Sequence, residues 1–364
     1  NSPPPPTRGL FWFSDWRISG SKLAADESHA FGPILYAQHS LSRNVMKMTA
    51  QMPPMGEKEE KEVRLQIKKT NEGNWETIGK ADIDRLSCTA AFRIENWDST
   101  RNTPYRLVYN MTDGDGRKTE HQFSGTVRKD PIDRDTLVVA GFTGNTDAGF
   151  PNEVLARNVA THDPDVLLFT GDQIYEGVGG YGIHRKPVGL ACLNYLRKIY
   201  LWGWAFREVM RDRVTLTLAD DHDVYQGNIW GNGGNPLPSM REHPKGGYVM
   251  HKDFVNAVQR TLSSHHPDPY DPAPIKQGIT VYYGDMVYGR VSFAVLEDRK
   301  FKSGPMGKVN TWKGRPDHVR DKNFDPKTID LPGLTLLGER QLKFLRAWAA
   351  DWRGADMKFV CSQT

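Results

Sequence analysis

At two points in this 364-residue chain a short, apolar, β-branched run ends in a cluster of carboxylates. Val166, Leu167, Leu168 and Phe169 lead through Thr170 and Gly171 to Asp172. Val214, Thr215, Leu216, Thr217 and Leu218 lead through Ala219 to Asp220, Asp221, His222 and Asp223. Runs this short, without polar alternation, fit strands buried on both faces, as in a parallel sheet covered by helices. In such sheets ligands bind where loops leave the carboxyl ends of the strands. Similar runs recur at 137–140, 291–296 and 357–361, and helical patterns lie between them at 153–160, 193–209 and 338–352. The last sets Leu342, Leu345, Trp348 and Trp352 on one stripe. Strand–helix alternation predicts an α/β-type domain over 131–364. The stretch 228–277, rich in Gly, Pro and His, reads as an elaborated surface loop.

The first third reads differently. Residues 1–10 carry four consecutive prolines, an extended leader. From 11 to 130 the expected elements are strands at 44–51, 62–68, 74–78, 88–94, 105–109 and 121–127, separated by turn signals. That pattern predicts an antiparallel, Ig-like β-sandwich, giving an α+β chain with a boundary at 130/131. The balance of 48 Lys and Arg against 44 Asp and Glu, net +4, does not supply the dense basic patch of a nucleic-acid site. No apolar run approaches the ~20 residues of a membrane span. Cys88, Cys192 and Cys361 lie far apart without metal-like spacing. One disulfide is open, but small buried side chains are the plainer expectation.

Two acid-loaded strand ends on one sheet would converge on a cation, because like charges packed this closely repel unless neutralised. Oxygen donors suit hard cations, and His and Tyr extend the set. A solvated acidic turn is the alternative for 220–223 alone. Gly177, Gly179 and Gly182 match a dinucleotide fingerprint in letters, but they do not open a helix directly after a strand. The adjacent His265 and His266 read as surface histidines. His243 and His251 fall in the long loop with substrate contact open to them, and Trp202, Trp204 and Phe206 read as core.

The set Gly171-Asp172-Gln173-Ile174-Tyr175-Glu176, Asp220-Asp221-His222-Asp223, Leu296-Glu297-Asp298-Arg299-Lys300 and Leu336-Leu337-Gly338-Glu339-Arg340-Gln341-Leu342 resembles the alkaline phosphatase D (PhoD-like) family of metallophosphoesterases. The resemblance spans about 137 to 364, and the β-rich region in front is similar to that family's layout. It implies hydrolysis of phosphoesters by a metal-activated water, in an exported protein, secreted or periplasmic. Asp172 would bridge two metals, Tyr175 would be a phenolate ligand, Asp221 a ligand, His222 a catalytic group near the leaving group and Arg299 a phosphate clamp or a structural ion pair. Asn228 is a further ligand candidate. Calcium and iron are the implied metals, with zinc, manganese or magnesium as alternatives. The family's Cys ligand after its first core strand is missing, and Asn145 or Asp147 would stand in for it. The family continues past the strand at 357–361 with more ligands, so a second chain or fragment is expected to complete the fold. The substrate would be a small or polymeric phosphoester, monoester or diester. The same scaffold acting on another ester or a carbohydrate, or a non-catalytic glycan-binding protein, are the competing readings.

Overall fold

The computed structural model describes residues 18–24, 32–70, 73–112, 115–146, 149–180, 182–309 and 322–363. The leader at 1–10 and Asp147 lie outside them. Residues 1–31 and 32–364 are two units. In the first, Leu23 N–H closes a turn onto the Gly20 carbonyl. The rest of the description concerns the second.

Among the described residues its strands form three sheets. The six-stranded sheet has the order β5-β2-β1-β10-β9-β8. Here β1 (Tyr36–Ser42), β2 (Val45–Gln51) and β5 (Thr89–Ile94) pair antiparallel, while β8 (Val139–Phe142), β9 (Val166–Phe169) and β10 (Val214–Thr217) run parallel. The second sheet orders β4 (Trp75–Asp82), β3 (Glu62–Lys68), β6 (Thr103–Thr112) and β7 (Lys118–Val127) as β4-β3-β6-β7, all antiparallel. The third joins β11 (Tyr283–Tyr288) antiparallel to β12 (Val291–Leu296), and β12 parallel to β13 (Met357–Cys361). Among the described residues there are four α-helices: α1 (Glu153–Thr161), α2 (Val188–Met210), α3 (Lys252–Ser263) and α4 (Glu339–Ala350). The class is α+β. The expected division at 130/131 has a strand pairing across it, because β1 lies in parallel beside β10 at His39 and Val214.

The apolar runs explain why the site strands sit where they do. All four residues of β9 and of β10 are buried. A cluster of rings clamps β8 and β9 to α2: Phe142 stacks on Phe169 at 4.5 Å, and Trp202 and Phe206 meet Phe169 edge-on at 5.0 and 5.4 Å. Helix α2 reaches β1 through Gly203, where a Cβ would fall 1.9 Å from the Tyr36 ring. The rings of Trp202 and Phe206 are core, as the sequence implied.

Four expectations need correction, the first being burial of 357–361 on both faces: Met357, Phe359 and Val360 of β13 are exposed at the edge of its sheet. The stretch 228–277 is not loop throughout. It holds α3, which buries Phe254, Val255, Val258 and Leu262 at helical spacing and is capped by the His251 side chain accepting from Asp253 N–H. His265 and His266 are not surface residues but fully buried. The His266 ring accepts from Thr217 N–H at 2.9 Å, and the His265 ring donates to the Thr215 carbonyl at 3.0 Å, so both anchor β10. Trp352 lies beyond the end of α4 and is 54% exposed, while Phe344 is the buried ring of that helix. Strand β1, all seven residues buried, was not foreseen because Gln38, His39, Ser40 and Ser42 break the apolar pattern. All three cysteines are free and buried. No helix among the described residues is long and apolar enough to cross a membrane.

The buried histidines set a direction with pH. His39 packs edge-on to Tyr105, and neither of its ring nitrogens has a hydrogen-bond partner. Burial, then the Arg128 charge, pushes it down to about 3. A histidine whose pKa falls on folding contributes stability that is complete above its unfolded value and is lost as pH drops through and below it. His39 alone should therefore remove about 2 kcal/mol between pH 7.5 and pH 5. His39→Phe keeps the ring and cannot protonate. Its melting temperature relative to the parent should rise as pH falls, and a difference that does not change with pH would refute this account.

Candidate metal centre

The loops after β9 and β10 approach closely because position 171 has no side chain. Gly171 adopts φ +113°, and a Cβ there would fall 2.4 Å from the Asp220 Cβ. The next residue, Asp172, also sits in the left-handed region at φ 51°, a strained conformation for an aspartate that the surroundings must hold. What holds it is Asp223. This fully buried carboxylate accepts from the backbone N–H of Asp172 and Gln173, each at 3.1 Å, and of Asp220 at 2.8 Å. One side chain from the second loop thus fixes the turn of the first.

The result is a group of three potential ligands. One atom each of Asp172, Asp221 and His222 all lie within 4.8 Å of one another. Asp172 Oδ1 is buried without a hydrogen-bond partner, a donor set aside for something else. Tyr175, four places after Gly171, hydrogen-bonds Asp172 and packs its ring 4.4 Å from that of His222. His222 Nδ1 donates to Glu176 Oε2 at 2.5 Å, leaving Nε2 on the side of Asp221, 3.9 Å from its Oδ2. A carboxylate holding the far nitrogen is the usual means of orienting a metal-binding imidazole. Asn145 is brought in by its backbone: its N–H donates to the Asp172 carbonyl at 2.8 Å, and its Nδ2 is buried without a partner. Asn228 meets Asp221 through its backbone N–H at 2.9 Å, so what it contributes here is the orientation of that carboxylate.

Arg299, at the end of β12, ion-pairs with Asp220 and, at 3.2 Å, with Asp221. Its Nη2 also donates to the Gln363 carbonyl. The arginine is therefore engaged by the acidic loop. His243, in contrast, gives its Nδ1–H to the Met240 carbonyl and stacks on Trp230 at 5.9 Å.

The electrostatics are those of crowded acids. Burial pushes Asp220 up to about 8, Arg299 opposes, and the charges of Asp221 and Asp172 add to the rise. Asp172 is raised by burial and then by Asp221, and Asp223 well raised by burial and then by Asp172. His222 is raised to about 9, chiefly by its hydrogen bond to Glu176. Tyr175 is pushed up to about 12 by burial and then by Asp172. Each shift reports negative charge concentrated away from water, which a bound cation would relieve.

Asp172, Tyr175, Asp221 and His222 are thus brought together as the sequence implied. Sequence reasoning assigned no role to Glu176 or Asp223, whose letters stood inside the motifs but whose work depends on hydrogen bonds between loops.

No family model matches the chain, and no curated protein does. Among solved structures, a β-glycosidase from Bacteroides vulgatus is similar at a TM-score of 0.22 and 11% identity, covering 51% of this chain and 29% of that one.

Gly171→Ala should force the two loops apart, since both the positive φ and the contact with Asp220 oppose a methyl group. A loss of about 1–3 kcal/mol in stability is expected, together with weakened manganese binding. Gly177→Ala, with open space around it, is the control and should bind the metal normally. Thermal melts and metal titration of the two variants check this, and normal metal binding by Gly171→Ala would show that the close approach is dispensable.

Proposed function

We propose that the chain is a metal-dependent hydrolase of phosphoesters. The observation that carries the reading is the convergence of Asp172, Asp221 and His222 from two strand ends of one sheet. Two carboxylates, one of them with an orphaned buried oxygen, and an imidazole fit a divalent or trivalent cation better than a solvated turn. Such a cation would lower the pKa of a water and neutralise charge on the phosphoryl group. Asp172 and Asp221 would bind it, with Tyr175 and Asn145 beside Asp172 as further donors. Glu176 holds the His222 ring with Nε2 toward the acids, where it would meet the leaving oxygen. Arg299 holds Asp220 and Asp221 in place.

The finer architecture belongs to the same reading. The strands of 11–130 would form a β-sandwich, supported by Tyr105 of β6 meeting His39 of β1 and by Gly79 of β4 lying against Phe92 and Ile94 of β5. The strands and helices of 131–364 would form the metallophosphoesterase layer.

Asp172→Asn tests the proposal. Asparagine tolerates the left-handed conformation, so the fold should persist with a melting temperature near that of the parent. Removing the charge should lower metal occupancy and hydrolysis of bis(p-nitrophenyl) phosphate together, by about 100-fold or more. An aspartate that merely shaped the turn would instead leave turnover largely intact. Full metal loading with near-normal hydrolysis in the variant would end the proposal.

A further inference from the structure

A cavity of about 10 Å³ lies between Arg299 and helix α3, the room that one water molecule needs. Three of the residues lining it each carry one buried polar atom with no hydrogen-bond partner: Tyr248 Oη, Arg299 Nε and Gln363 Oε1. The other polar side chains of the lining are engaged. Lys300 donates to Gln259 Oε1 and to the Thr280 carbonyl, Gln259 Nε2 donates to Ser263 Oγ, and Glu297 accepts from Tyr282 N–H. The remaining walls are alanine, valine and isoleucine. Tyr248 is 2% exposed, and a phenol, a guanidinium nitrogen and an amide oxygen shut away from solvent are each costly unless bonded. Gln363 Nε2 donates to the Ala219 carbonyl, so Oε1 is the free end of that amide. Arg299 is held from its far side by Asp220 and Asp221.

The three atoms select the chemistry of an occupant. Tyr248 and Arg299 donate while Gln363 accepts, so the occupant takes two hydrogen bonds and gives one. A metal cation offers the donors no acceptor, and a halide offers Gln363 no donor. The buried Glu297 carboxylate in the wall also opposes an anion. Water meets all three groups. We propose that this cavity is a binding site for a single internal water bonded to Tyr248 Oη, Arg299 Nε and Gln363 Oε1, and that Tyr248 acts through it as a positioning residue for Arg299. Of the five N–H donors of a guanidinium, those of Nη1 meet Asp220 and Asp221, and one of Nη2 meets the Gln363 carbonyl. With Nε on the water, a single N–H of Nη2 is what Arg299 retains for a ligand at the centre.

An atomic-resolution crystal structure of the chain should show one water within hydrogen-bond distance of all three atoms. Two solution measurements leave Arg299 in place. In a double-mutant cycle, Tyr248→Phe and Gln363→Met should be non-additive by about threefold or more in the unfolding constant, because both lose the same water. Exchange of the Arg299 Nε proton, followed by NMR and assigned with Arg299→Lys, should quicken about tenfold in Tyr248→Phe. It should keep the parent rate in Tyr36→Phe, which removes another buried, unpartnered hydroxyl outside this cavity. A dry cavity, or Tyr248 bonded directly to Gln363 or Arg299, would overturn the proposal. So would additive effects in the cycle, or an Nε proton indifferent to Tyr248→Phe or equally disturbed by Tyr36→Phe.

Discussion

The site depends on one fully buried carboxylate that is spent on backbone N–H groups. Asp223 takes three backbone N–H groups from two different loops, and no neutral side chain of its size offers two acceptor oxygens. Without it the turn at Asp172 would lose the two N–H bonds that tie it to the second loop, and the ends of β9 and β10 would be held together less firmly. The carboxylate is also an electrostatic burden, since it adds charge to a place already holding Asp172, Asp220 and Asp221. Its three donors and the missing side chain at Gly171 are what make that crowding tolerable.

Around this clamp the other charges are paired by reach. Glu176 takes His222, and Arg299 takes Asp220 and Asp221. Asp172 Oδ1 and, on the arginine, Nε are left out of this pairing. A catalytic reading of the arginine therefore has to accommodate its ion pairs, because a guanidinium already held by two acids reaches a phosphoryl group only through donors those acids do not use.

How much of this was legible follows from how locally each feature is encoded. Strands Val166–Phe169 and Val291–Leu296 agree with their apolar runs in place and in burial, whereas Met357–Cys361 is a strand where its run predicts one but leaves Met357, Phe359 and Val360 exposed at the edge of its sheet. Tyr36–Ser42 is as buried as the first two, but its polar residues find their partners far along the chain: Gln38 at Thr217, Ser40 at His265, Ser42 at Val287. Nothing near them in sequence announces that. Helix α3 was hidden by the Gly- and Pro-rich segments on either side, which diluted the spacing of Phe254, Val255, Val258 and Leu262. The ligand candidates were legible as acids at strand ends, whereas Asp223 and Asp221 look alike in sequence and differ only in which way each carboxylate turns.

The pairing of β1 with β10 has a further consequence. Val214, which opens one of the two strands leading into the acidic loops, has His39 as its neighbour, and His265 and His266 reach β10 from the end of α3. The antiparallel strands β1, β2 and β5 are thereby the lateral support of the strands that lead into the acidic loops rather than a passenger beside them. A ligand that bound the centre only in the folded chain would stabilise these strands along with it, through the pairing at His39 and Val214.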